Sequence, residues 1–444
     1  MRKRGLPIGF QLTALLVVLA FLVSGCGPAA TQAPATQAPV EVTRLVEVTK
    51  EVVTQVEVTS TPAPEAPAGE CPETIKIGAV IDVTGPLAAF GAEFSWAFDY
   101  AEKVFNADGG VMVAECNKKI PIEIVLGDHA ADEQKAVTEM ERLASEGVNV
   151  FTGSTAIMPL GQVVAEKQGI PIVVANGSTT GPFAQGMKYV FSTSWMNDEM
   201  ANWPFLLSEY LDPEWTPTFG FMEEQNLMGI DYGYYFREQC ITRQANCEIQ
   251  GFQRFAGDFS SQILAFKDAG VDFVYAPMIG PDGMKFWSQL KELDFAPKAI
   301  LQLIAPADRR SWVSMGPDAD YVITTNDYHW ATGYKGAAEY DVAYAAEHNG
   351  EHATELAGDG YAAIQIIADA IERAGTLNPD KLRDAISATN METIKGPIQF
   401  EANGTPIRPY FAVQYMDLVE TIMWPADMKE KDPVFPFPAW TEER

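Results

Sequence analysis

Two short runs of hydroxyl side chains, Ser154-Thr155 and Ser178-Thr179-Thr180, are where this chain could do chemistry. Each follows an apolar run, 148–152 and 170–174. Hydroxyls at a strand end, beside the free backbone N–H groups of a helix start, can hold a carboxylate without a formal positive charge. The same residues also serve as ordinary helix N-caps, and the two roles are compatible. The four histidines, His129, His329, His348 and His352, make no comparable case. His348 and His352 stand four apart, but Asn349-Gly350 interrupts the helix that would align them, and HNGEH lacks the HExxH order of zinc peptidases. No G-x-S-x-G turn, P-loop or G-x-G-x-x-G occurs. The residues predict no catalytic site, no metal and no cofactor.

The elements that position these hydroxyls are organised around residues 75–111. Ile75, Ile77, Ala79 and Ile81 alternate with other positions, the period of a strand. Thr84-Gly85-Pro86 breaks that pattern. From Ala92 the period changes: Phe94, Ala97, Phe98, Ala101, Val104 and Phe105 fall three and four apart, a helix that ends in Asn106 to Gly110. The alternation continues with strands over 120–126, 148–152 and 170–174 and helices over 132–147 and 160–168. A second series places strands over 218–222, 247–255, 273–277, 300–304 and 321–325, with helices over 232–244, 260–269 and 283–293. A strongly patterned helix over 360–374 follows, then a terminal β-element over 398–400 and 410–415, and a tail from Trp424 expected to wrap the surface. Such alternation with short links predicts an α/β fold of doubly wound parallel sheets, with ligands at the carboxyl ends of strands.

The amino terminus reads as a leader. Arg2, Lys3 and Arg4 precede an apolar run too short for a comfortable span, and Leu22-Val23-Ser24-Gly25-Cys26 resembles a lipoprotein cleavage site over 1–25. Lipidation of Cys26 would make the protein extracytoplasmic and anchored to the membrane. Residues 26–73 are low in complexity, with VEVT at 40–43, 46–49 and 56–59, and predict an extended tether. Net charge is −29, or −32 once the three basic leader residues are lost (28 basic against 60 acidic), which argues against nucleic acid as a partner. Cys71, Cys116, Cys240 and Cys247 suggest disulfides outside the cytoplasm. Spacing favours Cys240 with Cys247 and leaves Cys71 for Cys116, though three pairings are open.

The run IGAVIDVTGPLAAFG followed by a helix and NADGG resembles the start of the type I periplasmic binding proteins, in the branched-chain amino acid branch. Asp231-Tyr232-Gly233, Gly360-Tyr361-Ala362-Ala363, and Gly396-Pro397-Ile398-Gln399-Phe400 with Asn403-Gly404 extend the likeness over 74–420. The resemblance implies two doubly wound lobes joined by three crossovers near 192, 326 and 407, a Venus-flytrap that closes on its ligand. One lobe would hold 74–192 and 327–407, the other 193–326 and 408–444. It also implies a monomer that captures an amino acid, amide or similar small carboxylate for the membrane subunits of an ABC permease. A sensing lipoprotein is the alternative, and a hydrolase on the same scaffold is disfavoured.

The resemblance places the carboxylate contacts at Gly177 and Thr179, with Ser178 in the same run, and at Ser154 or Thr155. Phe90 aligns with a ligand-packing aromatic, although a core position is equally open to it. Tyr232 aligns with a second pocket aromatic. The family's ammonium-binding glutamate has no counterpart in Ile304-Ala305-Pro306-Ala307-Asp308, which leaves Asp308, Asp282 or Asp327 as substitutes. Trp195 and Trp330, near two crossovers, could stack on a ligand.

Overall fold

The computed structural model of the chain describes residues 71–154, 159–177 and 179–440. The leader, the tether up to residue 70 with Cys26, Thr155 and Ser178 lie outside the described residues.

The first strand, β1 (Ile75–Ile81), is where the alternating pattern puts it. Helix α1 (Ala88–Asn106) begins at Ala88 rather than Ala92, because Leu87 and Phe90 continue the apolar stripe back to the turn. Gly91 makes that early start feasible: a Cβ there would lie 1.8 Å from the Asp82 carbonyl oxygen. A ribbon of β2 (Val111–Val113) and β3 (Lys118–Ile120) precedes β4 (Ile122–Asp128). Cys116 of this ribbon is bonded to Cys71. Helix α2 (Glu133–Ser145), capped by Asp132, leads to β5 (Val150–Ser154), and α3 (Pro159–Gln168) leads to β6 (Ile172–Asn176). Short α4 (Thr180–Ala184) and β7 (Val190–Ser192) complete a parallel sheet of order β4-β1-β5-β6-β7.

The second sheet is built the same way. In chain order come α5 (Asn197–Leu211), β8 (Thr218–Glu224), α6 (Leu227–Arg243) and β9 (Asn246–Phe252). The Cys240–Cys247 disulfide closes the α6–β9 turn. Then follow α7 (Ser260–Asp268), β10 (Phe273–Ala276), α8 (Gly280–Glu292), β11 (Ala299–Gln302), α9 (Arg309–Val313) and β12 (Ile323–Asn326). The chain next returns to the first lobe with α10 (Ala337–Glu347) and α11 (Glu355–Ala374), the latter packed along α1 and β6. Helix α11 starts at Glu355, a turn before Gly360. Thr354 caps it, and Gly358, which blurs the periodicity, leaves room for the Tyr328 ring.

Two expectations are corrected beyond this point. After α12 (Pro379–Ser387), strands β13 (Asn390–Thr393), β14 (Gly396–Phe400) and β15 (Pro406–Ile407) form a small antiparallel sheet. The stretch expected to join it, β16 (Phe411–Met416), instead crosses to the second sheet with β17 (Val419–Trp424), giving the order β17-β16-β12-β11-β10-β8-β9. The residues 398–400 and 410–415 thus belong to different sheets, and the second sheet is parallel except for this antiparallel edge. A hairpin needs no crossover helix, so it can close a sheet edge where the chain runs out of αβ units. The tail does not only wrap the surface: Phe437 and Trp440 are buried against Trp287, where apolar burial outweighs solvation of a loose end. Among the described residues no helix is long and apolar enough to cross a membrane.

Candidate functional site

The strand ends that carry the hydroxyls come together. Ser154 of β5 lies opposite Asn176 of β6 in the ladder, and both are buried. The next residue, Gly177, has φ +63°, and a Cβ on it would stand 2.9 Å from the Trp195 ring. Glycine here lets the backbone turn left-handed and lets the indole lie directly on the loop. Thr179 follows, with its Oγ1 buried and without a hydrogen-bond partner among the described residues.

From this loop the first lobe reaches the second. Asp231 of α6 accepts the Thr180 backbone N–H at 3.0 Å, the Thr180 hydroxyl at 2.8 Å and the Asn197 amide at 2.9 Å. Burial raises the pKa of the Asp231 carboxyl, and these donors pull it back down. Beside Asp231, the Tyr232 ring lies 6.0 Å from Trp195 and 6.5 Å from Tyr275, measured between centroids. The Tyr232 and Tyr275 hydroxyls are fully buried and, like Thr179, find no partner among the described residues. A buried hydroxyl left unpaired costs about 1–3 kcal/mol, a cost that a polar partner would offset. Phe90, in the first turn of α1, faces the start of α8: a Cβ on Gly280 would meet its ring at 3.9 Å. The cleft therefore has one hydroxyl-bearing wall and an aromatic lining contributed by both lobes.

The sequence profile of the periplasmic binding protein family matches residues 74–203 and 250–417. The chain belongs to that family. It is a solute-binding protein, not an enzyme, with the α/β two-lobe fold. It is 25% identical over 345 residues to the leucine-, isoleucine-, valine-, threonine- and alanine-binding protein of Pseudomonas aeruginosa, covering 75% of this chain and 87% of that one. A leucine-binding protein of Thermotoga maritima superposes with a TM-score of 0.69 at 20% identity, covering 78% of this chain and 97% of the other. A solute-binding protein of R. palustris in complex with benzoate superposes at 0.68 and 17% identity, covering 79% and 95%. The unmatched stretch 204–249 carries Asp231 and Tyr232.

The acids of this binding protein are engaged elsewhere than expected. Asp308 caps α9, accepting the Ser311 N–H at 3.2 Å. Asp282 accepts the Phe255 N–H at 2.7 Å; burial raises its pKa, with the Glu224 and Arg254 charges acting in opposite senses. Ile304, where the glutamate is missing, is a buried apolar residue. Trp330 is stacked on His352 at 4.1 Å with Arg309 over its ring. His352 pairs with Asp341 at 2.8 Å and His348 stacks on Tyr344, so the two histidines do not converge.

Where the chain passes between lobes, a charged network is buried. Asp327, just after β12, lies 2.7 Å from Arg408 and 2.9 Å from Lys395, and Ser194 donates to it at 3.3 Å. Lys395 also contacts Asp359 and donates to the Thr193 carbonyl at 3.2 Å. The Asn176 amide contacts Asp359, which ties the network to the hydroxyl loop. Sequence reasoning missed Asp231, Lys395, Asp359 and Glu355. Of these only Asp231 carried a signal, its place beside Tyr232 in the family-like motif.

Proposed function

We propose that the mature chain is an extracytoplasmic, lipid-anchored receptor that captures a small carboxylate-bearing solute and hands it to the membrane subunits of an ABC importer. The observation that carries this reading is the set of orphaned hydroxyls of Thr179, Tyr232 and Tyr275, with Tyr232 next to Trp195 and Thr179 next to the Thr180–Asp231 contact that joins the lobes. The Gly177–Thr179 loop, with Ser178 and Ser154 or Thr155, receives the carboxylate, and Phe90 and Tyr232 pack on the rest of the solute. The amino-acid binding named for the Pseudomonas relative and the benzoate bound by the R. palustris protein support a small organic acid. The leader with Cys26 and the tether 26–73 support anchoring and reach. One lobe is 74–192 with 327–407 and the other 193–326 with 408–444, hinged to close on the solute.

A thermal-shift screen of the mature chain against amino acids, amides and aromatic acids tests the reading. A ligand of the folded state stabilises it by ~2.7 kcal/mol at a hundredfold excess over Kd. Thr179→Ala, which removes a charge-assisted hydrogen bond worth ~1.5–3 kcal/mol, is expected to weaken binding by about 10- to 100-fold with the unliganded melting point unchanged. A shift that survives Thr179→Ala intact would move the carboxylate elsewhere.

A further inference from the structure

The chain passes between the lobes three times, and each passage puts one side chain on the buried charged network. These are Ser194, between β7 and α5, Asp327, directly after β12, and Arg408, between β15 and β16. Asp327 is bonded to both of the others, to Arg408 at 2.7 Å and to the Ser194 hydroxyl at 3.3 Å. Lys395, in the turn from β13 to β14, extends the set. Its ammonium lies 2.9 Å from Asp327, contacts Asp359 and donates to the carbonyl of Thr193 in the first passage at 3.2 Å. Asp359, one turn into α11, accepts the side-chain amide of Asn176. Asn176 ends β6 and immediately precedes the Gly177–Thr179 loop. An unbroken chain of polar contacts therefore runs from that loop to all three passages, and every charged side chain in it is buried.

We propose that Asp359 is the positioning residue of closure: without touching the solute, it ties the solute loop, through Lys395 and Asp327, to the three passages on which the lobes turn. This rests on the function proposed above and adds how occupancy of the loop reaches the hinge. Rotation of one lobe on the other must change the backbone torsions of the three passages, and Asp327 holds all three in one arrangement. A carboxylate held by the loop fixes the backbone beside Asn176, and Asn176 in turn fixes Asp359 against Lys395. The charge count makes this link separable from the fold. Asp327, Glu355 and Asp359 bring oxygens within 4.8 Å of one another and face two cations, so neutrality leaves one proton on an acid. Glu355 makes no ion pair among the described residues; it accepts the Asp327 N–H at 3.1 Å. Burial raises its pKa well above the usual carboxylate range, with Asp327 and Asp359 adding and Lys395 opposing. Once Asp359 is removed, Glu355 can ionise in its stead, and two acids again face two cations.

The test uses the mature chain carrying Lys135→Cys on α2 and Ser261→Cys on α7, both exposed and one in each lobe, with a spin label on each. The label separation is read with and without L-leucine or benzoate, and either probe, once bound, is expected to shorten it. Asp359→Ala is expected to weaken that probe by about 10- to 100-fold, as for one hydrogen bond to a charged group, and to leave the saturated protein partly open. Asp359→Asn, which keeps an oxygen for Lys395 and Asn176, is expected to restore closure. Asn176→Ala cuts the same link from the loop side and carries the test should Asp359→Ala not fold. It should lose as much, and the two together no more than either alone. Amide hydrogen exchange over 327–330 and 408–411 gives a reading without any probe. Asn176→Ala should speed it about tenfold in the otherwise unaltered chain, and no further in the Asp359→Ala background. The assignment is overturned if Asp359→Ala or Asn176→Ala closes fully on a saturating probe, if Asp359→Asn fares no better than Asp359→Ala, or if the two losses add. If neither probe closes the unaltered protein, the carboxylate reading falls, and exchange alone decides Asp359: equal rates with and without Asn176→Ala would overturn it.

Discussion

At the scale of single residues, burial decides protonation, and one pair on the first lobe shows it. Asp82, at the end of β1, places Oδ1 3.3 Å from Nδ1 of His129, and that nitrogen also accepts the Ala131 N–H. An acceptor facing the carboxyl leaves the proton on the acid. Burial pushes Asp82 from 3.8 up to about 7 and His129 from 6.5 down to about 4. Asp82, raised in the fold, adds stability that is full below 3.8 and is lost as pH rises through about 7. His129, lowered in the fold, adds stability that is full above 6.5 and is lost as pH falls through about 4. Between those limits folded and unfolded chains bind the same number of protons at this pair, so its two slopes cancel. Asp82→Asn leaves His129 alone, and the urea midpoint should then climb with pH from about 4 to 6.5, by at most ~1.4 kcal/mol per unit. A flat profile in that variant would show that the fold does not hold His129 neutral. Neither residue announced itself in the sequence, because their shifts come from burial that only the fold creates. Thr179 stood out as a hydroxyl at a strand end, a place that a helix N-cap also fills.

At the scale of elements, periodicity located most strands of the two sheets, passed over the helices Asn197–Leu211, Ala337–Glu347 and Pro379–Ser387, and misplaced helix starts where glycine serves packing. Helices α1 and α11 both begin earlier than their apolar stripes suggest, and in both the first turn contains a glycine pressed against a neighbour. For Gly91 the neighbour is backbone, the Asp82 carbonyl, 1.8 Å from where a Cβ would sit. Gly91→Ala must push α1 away from the end of β1 and carry Phe90 with it. Overpacking of this kind costs about 1–3 kcal/mol. A lowered melting point and weaker solute binding should therefore appear together in that variant. An alanine accepted with neither change would mean that α1 is not held against the loop. Strand β17 was not expected from the sequence, and β16 was expected but with the wrong partner. Its own residues alternate as any strand does; what sends it to the second sheet is the passage through Arg408 and the Asp327 network, a contact from distant sequence.

At the scale of the whole molecule, affinity depends on how firmly the lobes hold together, and Asp231 is the side chain placed to set this. Its carboxylate bonds Thr180 of the first lobe through both the backbone N–H and the hydroxyl, while Asn197 holds it from its own side. Bonds that span the lobes favour the closed form on the proposed hinge motion, and they act without touching the solute. Hydrogen bonds to a charged group contribute ~1.5–3 kcal/mol, so Asp231→Ala should lower the closing equilibrium by about 10- to 100-fold. Apparent affinity falls by the same factor once the closed form is no longer dominant. On the proposal that the solute meets the Thr179 loop before closure, the association rate should hold and the dissociation rate should rise. X-ray scattering of the solute-bound variant should then show a larger radius of gyration than the unaltered protein at equal saturation. Thr180→Val removes the partner hydroxyl, and the double variant should lose less than the sum of the two losses, the mark of a shared contact. Equal radii and strictly additive losses would instead make Asp231 a cap on its neighbours and leave closure to the solute alone.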